Sequence, residues 1–500
     1  MFFPLGRVAF GVDGIDLDVS RVDRCGTIIT GLPLGSSDFQ SDIVQETVNR
    51  ALAVMTKLLA NKQIDLVCFT KILQECIISR LSFIAQAISP TITGPIFAEF
   101  DQRVIDAFFA ALDVKPSPEQ VAQAQLPRSL GGMGFRPMQD ACVPAYLVSQ
   151  VKACNVVKAV VPLDFPEQIN SYNLLVKKED RLTNNKAGLK KLTCSSMKEL
   201  TYALWFYKRD KLLQGVCNPL DVLRLLIAEV PKTTMWSSSL CMYSVDSGRA
   251  SARDRVKINN HMYRVLALSR LVRSTFVPAA CAGSPFPADL VCGNVSKKGK
   301  VCREKLDPQL VHSMSGCHFV RYQAHQIAVN AIEFVARDLG LSVSHACGIP
   351  GQKKHADLMI YGLMDDFPAT AIDVSVRNPF VEGALRFVPG SRPPKPDIQH
   401  HLVRAEKSKC VKYQDKYAGM GRGFKPFVVS STGMFGAGAK EIVTALAKRY
   451  ALQYYVPMQT AKRRVSEFIG CSILRQVAQN CLSAQTKVYA KFKVQAPAYV

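Results

Sequence analysis

Two aspartates lie in short runs with the composition of β-strands, Asp357 in HADLMI and Asp373 in AIDVSV. Apolar, β-branched stretches of this kind predict strands, and strands paired as a hairpin bring both carboxylates to one end of a sheet. Two carboxylates on rigid elements suit a hard divalent cation such as Mg²⁺, which takes oxygen ligands and keeps several waters. The cation would stabilise charge on a phosphoryl group and lower the pKa of an attacking water. A lysine beside it completes such a site, and Lys407, Lys409, Lys412 and Lys416 follow on one basic segment. Asp373 stands among Ala, Ile and Val, where a carboxylate is costly unless paired or coordinated. The plainer alternative makes both acids strand-end or turn residues.

A second group lies in CREKLDPQLVHSMSGC, which supplies Cys302, His312 and Cys317, with Cys292 the nearest fourth ligand. Three thiols and an imidazole suit Zn²⁺, although the spacing is looser than in a finger built on CxxC. His318 and Cys281 are substitutes, and free thiols in a loop are the alternative. Other candidates rank lower. Glu333 shares a polar stripe with Gln326, Asn330 and Arg337, opposite the apolar face of an expected helix. His400 and His401 follow a Pro-rich stretch and read as a surface pair. Gly421, Gly423 and the run from Gly433 to Gly438 would cradle phosphate only at a helix start with a lysine at hand.

The elements that must position these groups follow from hydrophobic periodicity. Residues 39–112 read as helices, with Ile43, Val44, Val48, Ala51 and Leu52 on one face; Pro90 and Gly94 are expected to break the next run, and residues 99–112 to resume it. A turn and a helix start fall at 115–120, and the paired glycines of 126–138 allow a tight turn. Residues 140–275 read as mostly helical, and 276–317 as a small module rich in Cys, Gly, Pro and Lys. Beyond it come a helix over 322–339, strands at 341–346, 356–363 and 370–376, a basic helix near 398–417, a strand at 424–431 and helices near 437–452 and 459–483.

The net charge of +23 is unevenly spread: residues 1–150 carry 12 Lys/Arg against 15 Asp/Glu, and residues 151–500 carry 51 against 25. A local surplus of that size points to a polyanion, with nucleic acid ahead of an anionic membrane. No apolar run reaches the ~18 residues of a membrane span. The first residues lack a secretion signal, so the 16 cysteines are expected to be reduced thiols with one metal cluster.

Taken in order, these segments resemble the C-terminal half of non-LTR retrotransposon proteins that carry a restriction-enzyme-like endonuclease. GLPLG resembles the end of the reverse-transcriptase palm; PIFAEFDQRVIDAFFAAL and LPRSLGGMGFRPMQDACVPAYLVS resemble its thumb. CREKLDPQLVHSMSGC is similar to the family's zinc knuckle, and a helix containing His325 follows it. KKHADLMI, AIDVSVRNP, KSKCVKYQDKY and GFKPFVVSSTG resemble the nuclease's two Asp strands, its Lys helix and the strand after it.

The resemblance implies a multidomain chain, mostly α in its N-terminal region and then an α/β PD-(D/E)XK restriction-endonuclease-like domain. It divides the sequence into a palm-end and thumb remnant over 1–150, a helical linker region over 151–275, a zinc-knuckle-like module over 276–320 and the nuclease over 321–485. Asp357 and Asp373 would bind Mg²⁺ or Mn²⁺. Lys409 and Tyr413 match the K-x3-Y spacing of the catalytic helix, with Lys412 the fallback. Cys292, Cys302, His312 and Cys317 would hold Zn²⁺. Three departures stand out: Ala356 replaces the usual proline, Gly299 stands where CxxC would need cysteine, and Ser375 where related nucleases have lysine.

The implied activity is nicking of target DNA to prime reverse transcription, in the nucleus, with DNA and RNA as partners and no membrane. Polymerase chemistry is not expected, because no aromatic-x-Asp-Asp strand is present, and the chain resembles the downstream part of a longer polyprotein or a relic of one. Two other classes remain open: a catalytically inert nucleic-acid-binding remnant and a zinc-stabilised protein scaffold.

Overall fold

The computed structural model describes residues 26–29, 32–61, 63–157, 164–183, 192, 195–216, 221–222, 224–226, 258–271, 286–295, 299–308, 310–345, 347–349, 355–380 and 399–492. The chain divides into two compact units, Met1–Gly215 and Val216–Val500. The sequence-based boundaries at 150, 320 and 485 each fall inside a helix, and 275 lies outside the described residues.

Among its described residues the first unit is helical apart from turns and an antiparallel pair, β1 (Gly26–Ile29) and β2 (Leu32–Gly35). Helix α1 (Ser37–Ala60) starts at Ser36, whose hydroxyl accepts from the Phe39 N–H, and buries Val44, Val48, Ala51, Leu52 and Met55. Residues 66–87 form α2 (Leu66–Ile72), a wider π turn over Leu73–Ile77, a tighter 3-10 turn over Ile78–Leu81, and α3 (Ser82–Ala87). The expected break at Pro90 and Gly94 is instead the start of one helix, α4 (Pro90–Leu112). Pro90 takes the first helical position, where a missing N–H costs nothing, and Ser89 caps the end through Thr91. Pro95 removes one hydrogen bond inside α4, but Phe97, Phe100, Val104, Ile105 and Phe108 hold the helix in the core.

Ser117 and Gln120 form a reciprocal capping box at α5 (Pro118–Gln125). In the turn after it, Gly131 and Gly134 have φ of 83° and 91°, and a Cβ on Gly132 would lie 1.9 Å from the Leu126 carbonyl oxygen. Helices α6 (Met138–Val157), α7 (Phe165–Leu174) and α8 (Met197–Gly215) complete the unit.

Asp101 joins α4 to α6: its two carboxylate oxygens accept the Met138 and Gln139 N–H groups, each at 2.9 Å. Burial pushes this carboxyl up to about 7, against the two N–H groups that favour its charged form. The folded chain thus holds the proton more tightly than the unfolded chain does. The associated stability is complete at acid pH and is lost as pH rises through about 7. The urea midpoint, followed by tryptophan fluorescence, is expected to fall between pH 5 and 8. Asp101→Ala is expected to flatten that slope and to cost about 2 kcal/mol by stranding two N–H donors.

In the second unit, α9 (Asn260–Arg270) precedes the Cys-rich module. Helix α10 (His318–Asp338) then opens a run with β3 (Val343–Ser344), β4 (Leu358–Tyr361), β5 (Ala369–Arg377), α11 (His400–Ala418) and β6 (Gly423–Ser430). This is the α-β-β-β-α-β order expected from periodicity. The strands form one mixed sheet, β3-β4-β5-β6, antiparallel except for the parallel β5–β6 pair. A parallel neighbour requires a crossover, and the crossover carries α11, the basic helix.

Helix α11 covers one face of the sheet through Tyr413 and Tyr417, which pack with Met359, Ala369, Ala371 and Phe424. The Tyr417 and Phe424 rings stack at 5.8 Å. Helices α12 (Ala437–Tyr454) and α13 (Met458–Lys491) close the unit. No helix among the described residues is long and apolar enough to cross a membrane.

Candidate nuclease and metal centre

The β4–β5 register pairs Leu358 with Ile372, and the Asp357 N–H continues the ladder by donating to the Ile372 carbonyl at 2.9 Å. Asp357 and Asp373 are therefore cross-strand neighbours on the same face of the sheet, and their carboxyl groups are hydrogen-bonded to each other. The Val374 N–H donates to Asp357 Oδ2 at 2.7 Å, which fixes the rotamer. Lys409 reaches from α11 to form an ion pair with Asp373 Oδ2. Two acids from neighbouring strands and one helical amine thus meet at one place.

The surroundings split the two acids electrostatically. Burial lifts the Asp373 carboxyl above its ordinary value, and the facing Asp357 adds to this while Lys409 opposes it. Burial also acts upward on Asp357, but His325, the Val374 N–H and the bond to Asp373 outweigh it and hold that carboxyl below the usual range. Adjacent carboxylates resist losing both protons, and the pair holds its charge less readily at Asp373 than at Asp357.

The other expected members of the site do not join it. Lys412 Nζ donates to Tyr413 Oη at 2.6 Å and sits 4.4 Å from the centre of that ring. Tyr413 is 4% exposed and packed in the core beneath α11, so its place in the K-x3-Y spacing serves packing. Glu333 pairs with Arg337 and with His345 at 2.9 and 3.0 Å. The phosphate cradle at Gly433–Gly438 is already filled: Glu406 Oε1 accepts the Gly438 N–H at 2.9 Å. His400 and His401 begin α11, and their rings stand 6.3 Å apart.

Sequence reasoning passed over two residues. His325 Nε2 lies 3.3 Å from Asp357 Oδ1, with the Tyr322 ring stacked on the imidazole. The signal was available, because His325 directly follows Ala324 on the border of the apolar stripe that α10 buries. Arg377, four residues beyond Asp373 on the same strand face, has a buried Nε with no partner among the described residues. Burial and the nearby Arg321 lower its pKa, and Asp373 opposes them.

Lysine identity at this site is directly testable. Lys409→Met is expected to reduce metal-dependent cleavage at least about 100-fold, as loss of a charge-stabilising group does. Lys412→Met, whose amine faces a tyrosine, is expected to stay within about threefold. Single-turnover cleavage rates for the two variants make the comparison.

The Cys-rich module brings its four candidates together. The segments around Cys292 and Cys302 run antiparallel, with bridges Val291–Lys305 and Val295–Val301, and the Cys302 N–H donates to the Asn294 carbonyl at 2.8 Å. Asp307 accepts the Val311 and His312 N–H groups at 2.9 and 3.1 Å, which turns His312 back toward the thiols. The ligand atoms of Cys292, Cys302, His312 and Cys317 all lie within 4.8 Å of one another.

Cys292 Sγ and Cys317 Sγ are 3.7 Å apart, and Cys302 Sγ is 3.4 Å from His312 Nε2. Tetrahedral zinc with Zn–S of about 2.3 Å and Zn–N of about 2.0 Å requires S–S and S–N separations of roughly 3.8 and 3.5 Å. The four residues therefore form a group that can hold a metal ion, and their geometry is compatible with structural zinc. His318, the substitute ligand, is exposed and lies outside the group, and Cys281 lies outside the described residues. No protein-family model and no curated protein matches the chain.

Proposed function

We propose that the second unit is a metal-dependent DNA endonuclease of the restriction-enzyme-like PD-(D/E)XK type, part of a non-LTR retrotransposon protein that nicks target DNA for primed reverse transcription. One observation carries the proposal: Asp357 and Asp373 face each other across β4 and β5, with the Lys409 amine on the second acid. The α-β-β-β-α-β order with a mixed four-stranded sheet supports the same fold.

In the proposed reaction Asp357 and Asp373 would hold Mg²⁺ or Mn²⁺, which would supply charge stabilisation at the scissile phosphate. Lys409 moves from Asp373 to the attacking water or the phosphate. His325 orients Asp357, and Arg377 and Arg321 give the backbone a cationic approach. The Cys292–Cys302–His312–Cys317 cluster binds structural zinc. The excess of basic residues beyond position 150 supplies phosphate contacts that position DNA without reading sequence.

An inert nucleic-acid-binding remnant is the second possibility, and Ser375 favours it, since related nucleases carry lysine there. Incubation of the purified chain with supercoiled plasmid separates the two. Nicked circles that appear with Mg²⁺ or Mn²⁺ and vanish with EDTA support the nuclease. Salt-sensitive DNA binding without nicking, at any metal concentration, supports the remnant.

A further inference from the structure

The entry ends of the parallel strands, where Thr370 pairs with Gly423, border a cavity of about 490 Å³. This falls within the roughly 300–1,000 Å³ range of small-molecule sites. The cavity is distinct from the carboxylate pair, since neither Asp357 nor Asp373 lines it. Its walls combine two chemistries. Phe367, Phe424 and Met364 supply apolar and aromatic surface, and Arg422, Lys440 and Lys448 supply cations.

Those three cations have no ion-pair partner among the described residues. The fourth, Lys425, is bound to Glu441 at 2.5 Å, and Asp366 is the other acid on the wall.

Apolar walls, a planar guanidinium and two flexible ammonium groups match a molecule that is flat and apolar at one end and anionic at the other. Arginine binds phosphate through paired N–H donors, and aromatic side chains take bases by their faces. We propose that this cavity binds a nucleotide, with the base against Phe367 and the phosphate on Arg422, Lys440 and Lys448. The nucleotide is either free or one unstacked unit of a strand.

Isothermal titration of the full chain with adenosine 5′-monophosphate, with inorganic phosphate and with a short single-stranded oligonucleotide tests this. Saturable binding of the monophosphate identifies a free-nucleotide site, and binding of the oligonucleotide alone identifies a strand nucleotide. In either case Arg422→Ala with Lys448→Ala weakens affinity at least about tenfold. Lys440→Gln, a change at an exposed side chain, also weakens it severalfold and guards against a folding artefact. Asp373→Asn leaves affinity unchanged, which separates failure of this site from failure of the nuclease proposal. Inorganic phosphate binding as tightly as the monophosphate overturns the nucleotide assignment. So does affinity that survives the double substitution, or no binding of either nucleotide form.

Discussion

Asp373→Asn is expected to lower the rate of plasmid nicking by about 10³-fold or more, with DNA affinity retained. Asparagine has the shape of aspartate, and the parallel register of β5 with β6 uses backbone groups that the change does not touch. On the proposed reading, what disappears is one of two anionic ligands for a hard cation, and with it most of the affinity for Mg²⁺. Affinity for DNA moves little, because phosphate contacts come from basic groups and the substitution removes a negative charge near them. At equal ionic strength the variant binds as tightly as the parent or slightly tighter, with the same dependence of log K on log salt. The checks are the rate of nicked-circle formation across a Mg²⁺ titration and filter binding at several salt concentrations. Nicking that persists at the parental rate removes Asp373 from the chemistry and overturns the proposed carboxylate site.

The same contrast between backbone and side chain explains what the sequence made legible. The alternation in AIDVSV marks β5 as a strand and places Asp373 on a defined face, and a hairpin with HADLMI then brings Asp357 opposite by register alone. Element type and facing are local properties, so sequence periodicity captures them. Which lysine reaches the acids is not local. Lys409 and Lys412 lie three residues apart on one helix, and only its rotation against the sheet, set by Tyr413 and Tyr417 in the core, turns Lys409 to Asp373.

His325 was passed over for a related reason: its place at the edge of an apolar stripe marks it, but what it meets depends on which strand that edge faces. Pro90 misled because proline breaks a helix interior yet suits the first turn, and Ser89 decided the case. Ala356, a departure from the expected proline, acquires a purpose in the fold. Its N–H donates to Tyr417 Oη at 3.0 Å, a bond that proline could not form.

Loss of one thiol from the Cys-rich module is expected to have the largest effect on stability. Cys317→Ser should abolish stoichiometric zinc, measured by release to a chromophoric chelator from the denatured protein, and should unfold residues 286–317. Among the described residues of this segment the buried side chains are Cys292, Leu306, Leu310, Ser313, Met314 and Cys317, two of them candidate ligands. Structural zinc contributes about 10–16 kcal/mol to small folded modules, far above the ~2 kcal/mol that each buried aliphatic side chain adds. The damage should spread to α13, because Lys487 donates to the Cys292 carbonyl and to Asn294 Oδ1, the latter at 3.3 Å. Cys481→Ser is the control. Cys481 is fully buried within α13 and belongs to no candidate metal group among the described residues, so this change strains packing but leaves the zinc content at one per chain. Hydrogen exchange localises the difference: fast exchange over 286–317 and the C-terminal turns of α13 for Cys317→Ser, and near-parental protection in the module for Cys481→Ser. A Cys317→Ser protein with parental exchange and no metal in the parent would show that the thiols close the module by packing alone.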